Sequence, residues 1–483
     1  MGIVYLKGIK KGDRIFYQEE NNSINDRIED LSKKKIRVLV QGYGTVEGGT
    51  AEGTRYKEGE KVTLIAKTQT KTINEVEYTS EFKGWYLDGK LQSTDTNYVI
   101  EVTKDATYTA IFDMEPTLIY YLDSNSEEQI LVTKEATINS TTYTDAGIDK
   151  TQITKVVFGN SCTSIGTSAF EKCTSLNYIK AENTNQIVIL GRAFALCSNL
   201  ESVKATNIKL EKFGHFNGCT KLKNLELGSK GHLVNSTSSS ILYNSGGNDL
   251  IIRIYMLKDE AFEAYLKDHN SATIVEYDTN GEVSSIILGL KYRGTDIAWE
   301  SLEEFDGIED ISKVTEIRDY AFEGCTSLKL TNLPDNIVKI GANSFKDCTN
   351  LKISRIPAEC TEIGGHAFDN CDNIDNMIID TKNQVIIGER AFLHCDGLVY
   401  AKVTNVKFVG PSQFGGCAKL KEIELGSKEH LVDGVNYGIF YNAGGTDLIV
   451  KIYMQRNTTY ENNLKAGNEA TLIIYNANGE KIN

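Results

Sequence analysis

Eight cysteines that each follow a phenylalanine by three residues constrain this 483-residue chain more than any other feature. Successive cysteines lie 24 and 22 residues apart in a first group, and 23, 23, 24 and 22 apart in a second group. A nearly constant short period indicates a solenoid, because one unit is too small to bury its own apolar face and must stack on its neighbours. The predicted repeat markers are Phe170, Cys173, Phe194, Cys197, Phe216, Cys219, Phe322, Cys325, Phe345, Cys348, Phe368, Cys371, Phe392, Cys395, Phe414 and Cys417.

Nearly the same motif surrounds the pairs, as in IGTSAFEKCTSL (165–176) and IGGHAFDNCDNI (363–374). The pattern I-G-x-x-A-F-x-x-C-x-x-L-x-x-I resembles the BspA-type leucine-rich repeats of bacterial surface proteins, over roughly residues 150–230 and 310–430. The resemblance implies that a short helical turn carries A-F-x-x-C and that L-x-x-I enters a stacked strand. The sequence departs from the pattern at residues 214–216, which read G-H-F, and at Gln413, which replaces the alanine before Phe414.

A longer repeat of 198 residues contains the short one. At this offset Cys162 falls on Cys360, and LELGSKGHLV (225–234) falls on IELGSKEHLV (423–432) without a gap. We infer that one solenoid module was duplicated in tandem, with three clear repeats in the first copy and five in the second. The amphipathic segment 258–268 is predicted to be a cap helix, and the alternating segments 118–131 and 286–299 are predicted to be N-terminal cap hairpins.

Residues 37–113 differ from the rest, since short alternating runs such as KVTLIA and ATYTAIF are separated by glycines. The segment resembles the divergent B-repeat of listerial internalins, a small β module that spaces or presents other domains. Phe82, Gly84, Trp85 and Phe112 match the core positions of that family.

Residues 1–36 match no family, but they contain a short candidate helix at NDRIEDLSKK (25–34). Ile24, Ile28 and Leu31 are spaced so that they share one face of it. This face suits attachment to a host structure or self-association into a homo-oligomer. Packing against the adjacent β module is an equally favoured interpretation.

The predicted fold class is therefore β-rich and multi-domain, with a small β module followed by two capped leucine-rich-repeat solenoids. The predicted divisions are an attachment or oligomerisation segment (1–36), the β module (37–114), the first BspA-like solenoid (115–284) and the second (285–483).

No motif in the sequence supports catalysis or a bound cofactor. The chain lacks the H-E-x-x-H and C-x-x-C spacings of zinc sites and the G-x-S-x-G of a nucleophile elbow. The cysteines are best interpreted as small buried apolar side chains, with no metal role. Cys162 and Cys360 lie outside the repeat frame and are the most able to pair, although a buried free thiol is favoured for both. Trp85 and Trp299 could stack on sugars, but core positions are favoured.

Composition excludes several classes of partner. The 52 Lys and Arg against 66 Asp and Glu give a net charge of −14, whereas nucleic acids and anionic membranes require a basic surface. The first residues lack the apolar run of a secretory signal, and no stretch approaches the roughly 18 apolar residues of a membrane span. We therefore expect no nucleic-acid partner and no membrane insertion.

The resemblances together imply a non-enzymatic extracellular adhesion or receptor-binding protein. Its expected partner is a protein or glycan ligand on a cell or mucosal surface. Because no export signal or anchor is recognised, the sequence favours a phage fibre or capsid decoration protein that sits on the virion surface and binds virion proteins through its N-terminus. A BspA-type adhesin of the bacterial cell surface, with a trimmed signal peptide, is the alternative, and an undetected carbohydrate-active enzyme is a third.

Overall fold

The structure, a computed structural model, describes residues 33–73, 76–236, 240–257, 260–267, 271–290, 293–294, 310–432, 435, 437–455 and 457–482. The attachment candidates Ile24, Ile28 and Leu31, as well as Trp299, lie outside these ranges. The chain divides into two compact units, and the first comprises residues up to 117 together with 159–161. Within the described ranges, no helix has the length and apolarity needed to span a membrane.

The first unit is built from ten strands. Their order across the sheets is β3-β1-β10-β7-β8, β2-β4-β9 and β5-β6, and β1 runs parallel to β10. The strands are β1 (Lys34–Gln41), β2 (Gly44–Glu47), β3 (Thr54–Tyr56), β4 (Lys61–Thr68), β5 (Thr70–Ile73), β6 (Val76–Thr79), β7 (Phe82–Leu87), β8 (Lys90–Ser93), β9 (Asn97–Glu101) and β10 (Ala106–Phe112).

Aromatic side chains form the centre of this unit. The Phe82 ring lies 5.5 Å from that of Trp85 and 5.2 Å from that of Phe112. Trp85 is fully buried, and its indole Nε1–H donates to the carbonyl of Asp95 at 3.1 Å. The core position predicted for Trp85 is therefore the one it occupies. The likeness of this unit to internalin B-repeats stays a prediction.

The second unit is a β-solenoid, which confirms the predicted fold class. Most rungs supply a strand before the F-x-x-C turn and a strand after it, on opposite sides of the core. The strands are β11 (Thr117–Leu122), β12 (Glu128–Thr133), β13 (Thr137–Ile138), β14 (Ile153–Val157), β15 (Ser164–Ile165), β16 (Tyr178–Ala181), β17 (Ile187–Ile189), β18 (Ser202–Ala205), β19 (Ile208–Leu210), β20 (Asn224–Leu227), β21 (Asn235–Ser236), β22 (Ile251–Tyr255), β23 (Thr273–Tyr277), β24 (Val283–Leu288), β25 (Val314–Ile317), β26 (Lys339–Ile340), β27 (Arg355–Ile356), β28 (Glu362–Ile363), β29 (Asn376–Ile379), β30 (Val385–Ile387), β31 (Tyr400–Val403), β32 (Val406–Phe408), β33 (Glu422–Leu425), β34 (Ile449–Tyr453) and β35 (Thr471–Tyr475).

Short helices occur at several points of the solenoid. They are α1 (Ser140–Thr144), α2 (Glu260–Lys267), α3 (Thr458–Lys465) and the 3₁₀ turns Lys150–Gln152, Ile311–Lys313 and Gly445–Asp447. Helix α2 lies within the predicted cap segment 258–268, and its Phe262 and Leu266 are buried in the core of the first copy. In α3, Leu464 is buried in the core of the second copy in the same way.

One sheet of 14 strands passes through both copies, in the order β12-β11-β14-β16-β18-β20-β22-β23-β24-β25-β26-β28-β30-β32. In the first copy it uses the strands that follow the F-x-x-C turns. In the second copy it uses the strands that precede them, because β28, β30 and β32 are the 198-residue counterparts of β15, β17 and β19. The strands that follow the turns in the second copy form a separate sheet, β27-β29-β31-β33-β34-β35.

The β23–β24 hairpin is where the exchange occurs. Ile274 pairs with Ile287 and both join the core of the first copy, whereas Val275 pairs with Ile286 and both join the core of the second. Neighbouring residues of a strand point to opposite faces, so the two cores lie on opposite sides of one sheet. The strand expected within 286–299 thus begins at Val283 and pairs antiparallel with the preceding strand, while residues 291–292 and 295–309 lie outside the described part.

Candidate functional site

The predicted phenylalanine markers form one stacked column in each copy. Successive rings lie 5.5 and 5.6 Å apart in the first copy, and 5.4, 5.3, 5.1 and 5.2 Å apart in the second. All eight side chains are almost completely buried. A nearly parallel stack with this spacing suits the ring quadrupoles when the rings are offset. The column therefore acts as the spine of the solenoid, and none of its eight phenylalanines is exposed to a ligand.

The predicted cysteine markers connect neighbouring rungs. The Sγ–H donates to the carbonyl of the preceding rung's phenylalanine at 3.0–3.2 Å in Cys197, Cys219, Cys348, Cys371, Cys395 and Cys417. Burial raises the pKa of the Cys173, Cys348 and Cys371 thiols above the ordinary range. A buried protonated thiol that already donates a hydrogen bond is a poor nucleophile and a poor metal ligand.

Cys162 and Cys360 are also free and buried. Each Sγ–H donates within its own strand region, to the carbonyl of Ser164 or of Glu362 at 3.4 Å. Burial raises the pKa of both thiols to about 12. The free-thiol interpretation describes these two residues better than a disulfide does.

Both copies contain rungs beyond the Phe–Cys frame: the Tyr143 ring stacks on that of Phe170 at 5.6 Å at the start of the first column, and a further rung follows each column. Phe440 continues the second column, with its ring 6.1 Å from that of Phe414, and Leu242 is the buried counterpart in the first copy. The cysteine position is taken by Ser245, whose hydroxyl donates to the carbonyl of Phe216 exactly where a thiol would, and by Ala443. In the sequence these rungs carry the motifs ILYNS (241–245) and IFYNA (439–443). They fall outside the repeat frame because they follow the preceding phenylalanine by 26 residues and lack the cysteine.

The two departures from the repeat motif have a structural explanation. His215 is buried, and its Nε2 lies 2.9 Å from the carbonyl of Glu211. Gln413, at the same place in the second copy, donates from Nε2 to the carbonyls of Val409 and Gly410 at 3.0 and 2.8 Å. Burial lowers the pKa of His215, which favours the neutral imidazole. Both side chains bind loop carbonyls and are held by the fold.

The outer side of the sheets offers a different kind of surface. Parallel strands pair in register, so Lys204 stands beside Glu226 in the first copy, and Lys402 stands beside Glu424 in the second. The Nζ of Lys204 lies 3.0 Å from Glu182 and 3.5 Å from Glu226. Such exposed pairs contribute little to stability, about 0–1 kcal/mol, so these charges are available to a ligand.

A tight loop closes over the end of this surface in both copies. The Ser229 N–H donates to the carbonyl of His232 at 3.0 Å, and the Ser427 N–H donates to that of His430 at 2.9 Å. The loop starts with Gly426 in the second copy, where φ is 76° and an added Cβ would lie 2.8 Å from the His430 carbonyl. Glycine is needed there because both the backbone conformation and the close approach exclude a side chain.

Loop and strands together enclose a cavity of about 380 Å³ in the second copy. It is lined by Asp380, Thr381, Lys402, Thr404, Glu424, Gly426, Ser427, Lys428, Glu429, His430 and Tyr453. We call these residues and their 198-residue counterparts the duplicated patch. The sequence pointed to this place through the repeated GSKxH motif, but it did not reveal that residues from three adjacent strands join it.

Other candidate sites are less developed. A cavity of about 240 Å³ in the first unit is lined by Lys35, Arg37, Leu87, Asp88, Lys104, Asp105, Ala106 and Thr107. Across the part of the chain that the structure describes, no cluster of three or more His, Cys, Asp or Glu side chains is arranged to hold a metal ion. The acidic turn at 123–128 is a plain turn, in which the Asp123 carboxylate accepts from the N–H groups of Asn125 and Glu127.

Comparison with known proteins identifies the repeats. The family model for the BspA type leucine rich repeat region matches in six copies, over residues 142–267, 299–421 and 385–461. No curated protein sequence matches the chain.

Similar solved structures include three leucine-rich-repeat or surface proteins. A leucine rich cell surface protein from Faecalibacterium prausnitzii is 16% identical, with 74% of this chain and 93% of that chain covered and a TM-score of 0.26. A leucine-rich repeat protein from Bacteroides ovatus is 18% identical, with coverages of 74% and 98% and a TM-score of 0.28. The pneumococcal vaccine antigen PcpA is 16% identical, with coverages of 77% and 87% and a TM-score of 0.30.

Proposed function

Because the chain belongs to the BspA-type leucine-rich-repeat family, we propose that it is a non-enzymatic binding protein of an extracellular surface. Its partner is a protein or glycan ligand on a cell or mucosal surface. The observation that carries the proposal is the cavity of the second copy, whose charged, hydroxyl and aromatic lining is repeated at eight of eleven positions of the first copy.

The side chains best suited to covalent catalysis support a binding role. The cysteine thiols are buried, and those of six rungs donate to backbone carbonyls of the preceding rung. His215 is buried beside backbone carbonyls that hold its ring. These groups are held within the solenoid, away from the surface where a substrate would bind.

The function is tested with the full chain on an array of surface glycoproteins and mammalian oligosaccharides, in parallel with a panel of glycosidase and protease substrates. Saturable binding without turnover is the expected result. Turnover of any substrate that is abolished by changes in the duplicated patch would show an enzyme instead.

We also propose a carrier, a phage virion on which the chain is a fibre or capsid decoration protein, with the bacterial cell surface as the alternative. Family membership supports an extracellular position in either case. Residues 1–36 are proposed as the segment that attaches to virion proteins or that forms a homo-oligomer. Mass spectrometry of purified virions and of bacterial surface fractions separates the two carriers, since the chain should be enriched in only one.

A further inference from the structure

We propose that the duplicated patch is a pair of equivalent binding sites for uncharged sugar residues, so that one chain binds a repeating glycan at two points. The inference rests on the proposed binding function and names the ligand class and the site. Three observations carry it: the identity of the patch in the two copies, its charge balance, and its position on the sheets.

The patch is largely the same in the two copies. Eight of the eleven cavity-lining positions are identical at the 198-residue offset. Backbone geometry accounts for Gly426 and for the loop serine. It does not account for Lys402, Thr404 or Tyr453, whose identity is what two sites for one ligand require.

The charges of the patch nearly cancel. The cavity of the second copy contains two lysines against three carboxylates, and the corresponding positions of the first copy contain two against two, with histidine neutral. A surface with this charge balance does not attract a polyanion, because a site for an anionic glycan or a nucleic acid needs an excess of positive charge. Ammonium, carboxylate and hydroxyl groups side by side instead match the mixed donors and acceptors of sugar hydroxyls.

Stacked tyrosines adjoin these polar groups in both copies, and in the first copy Tyr255 also packs against the core of the second copy. The Tyr453 ring stacks on that of Tyr475 at 5.0 Å, and the Tyr255 ring stacks on that of Tyr277 at 4.5 Å. Tyr453 lines the cavity and is only partly buried. The C–H face of a pyranose packs on such a ring while its hydroxyls bind the surrounding polar groups.

The two patches lie on the same side of the continuous sheet. In the first copy, Glu226, Arg253 and Val275 are successive partners on one face of this sheet, the face opposite the first core. Val275 is buried in the second core, so the second copy and its outer sheet lie on that same side. The second patch is therefore displaced outward by about 10 Å, the spacing of packed sheets, and it also lies several strands further along the sheet. A flexible polymer of repeating sugars can reach both.

The inference is tested by titrating the full chain with neutral oligosaccharides selected on a printed array of neutral, sialylated and sulfated mammalian glycans. We expect two equivalent sites per chain, and one site in either Tyr255→Ala or Tyr453→Ala. On mucin immobilised at high density, each single variant should weaken apparent affinity by roughly 10–100-fold, and the double variant should not bind, because bivalency is lost.

Two controls separate the site from the fold. Tyr437→Ala removes another exposed tyrosine of the second copy, whose counterpart is Ser239, and should bind normally. The pair Lys204→Ala and Lys402→Ala removes only partly exposed side chains, and should abolish binding with an unchanged melting temperature.

Each other outcome has a defined meaning. Binding to enzymatically deglycosylated mucin that survives all patch variants overturns this inference and leaves the proposed function standing. A preference for sialylated or sulfated glycans that is lost in high salt overturns the assignment to uncharged sugars. A single site that ignores Tyr255→Ala overturns the pair. Binding to neither mucin nor the array contradicts both the inference and the proposed function.

Discussion

Replacement of Phe345 by alanine tests the stacked column directly. The side chain is completely buried, and its ring lies 5.4 Å from that of Phe322 and 5.3 Å from that of Phe368. Truncation of a buried phenylalanine to alanine costs about 3–5 kcal/mol, from lost transfer free energy and the cavity that remains. Two aromatic contacts are lost as well, each worth about 0.5–1.5 kcal/mol beyond the buried area. We therefore expect a loss of free energy of unfolding near the upper end of that range.

The backbone of the same residue connects its own rung to the next one, which makes a graded series informative. Its N–H donates to the Ala367 carbonyl at 2.8 Å, and its carbonyl accepts from Cys371 Sγ at 3.1 Å. Neither bond involves the ring. Phe345→Leu should therefore lose less than half as much stability as Phe345→Ala, because a leucine, Leu242, is already buried at one position of the first column.

The assay is urea unfolding followed by far-ultraviolet circular dichroism, with the midpoint and slope compared between variants. Phe213→Ala is the matched control, since that side chain is 55% exposed and its loss should change stability by no more than about 0.5 kcal/mol. An unchanged midpoint for Phe345→Ala would refute the stacked-column assignment. Equal losses for the alanine and leucine variants would refute the role of side-chain volume.

Three further predictions concern the backbone, the thiols and the patch loop. Lys172 is exposed with φ at 65°, a left-handed conformation that strains any residue with a Cβ. Lys172→Gly should therefore raise the free energy of unfolding by about 0.5–1 kcal/mol, and the melting temperature with it, whereas Lys172→Ala should not. Burial raises the pKa of Cys162 and Cys360 to about 12, so these thiols should not react with dithionitrobenzoate at pH 8 until the chain unfolds. Since the unfolded thiols ionise near pH 9, their contribution to stability should be complete below pH 8 and should be lost as the pH rises from about 9 to 12, which pH-dependent urea midpoints measure. Gly426→Ala should lower the melting temperature more than Gly445→Ala, because both have positive φ but only the first meets a backbone oxygen within 3 Å.

The repeat frame could be predicted from the sequence because its contacts are local. Phe170 contacts Phe194, and Phe194 contacts Phe216, each one period further along the chain. The spacing of these residues in the sequence therefore predicts which side chains touch. The frame failed only where its letters changed. Leu242 and Phe440 fill the same column, but their rungs have Ser245 and Ala443 in place of cysteine, and this removed the signal.

The candidate site was visible in the sequence only as a repeated loop motif. Lys402, Glu424 and Tyr453 are more than 20 residues apart along the chain, and parallel in-register pairing of β31, β33 and β34 brings them to one surface. Identity at the 198-residue offset does not by itself distinguish a binding residue from one that has not yet changed. Burial in the structure makes that distinction, because the column phenylalanines are buried whereas Lys402, Glu424 and Tyr453 are partly exposed.

The sequence by itself determined the family, the solenoid, its period and the tandem duplication, because all of these are properties of repeated letters. The tertiary structure decided how the two copies are joined. Ile274 and Val275 are adjacent, equally apolar and both fully buried, yet each packs into a different core. The hydrophobic pattern predicts that both residues are buried. It does not predict which strands pack on each face, because those strands lie about 40 residues away in the sequence. The pairing of β24 with β25 determines this.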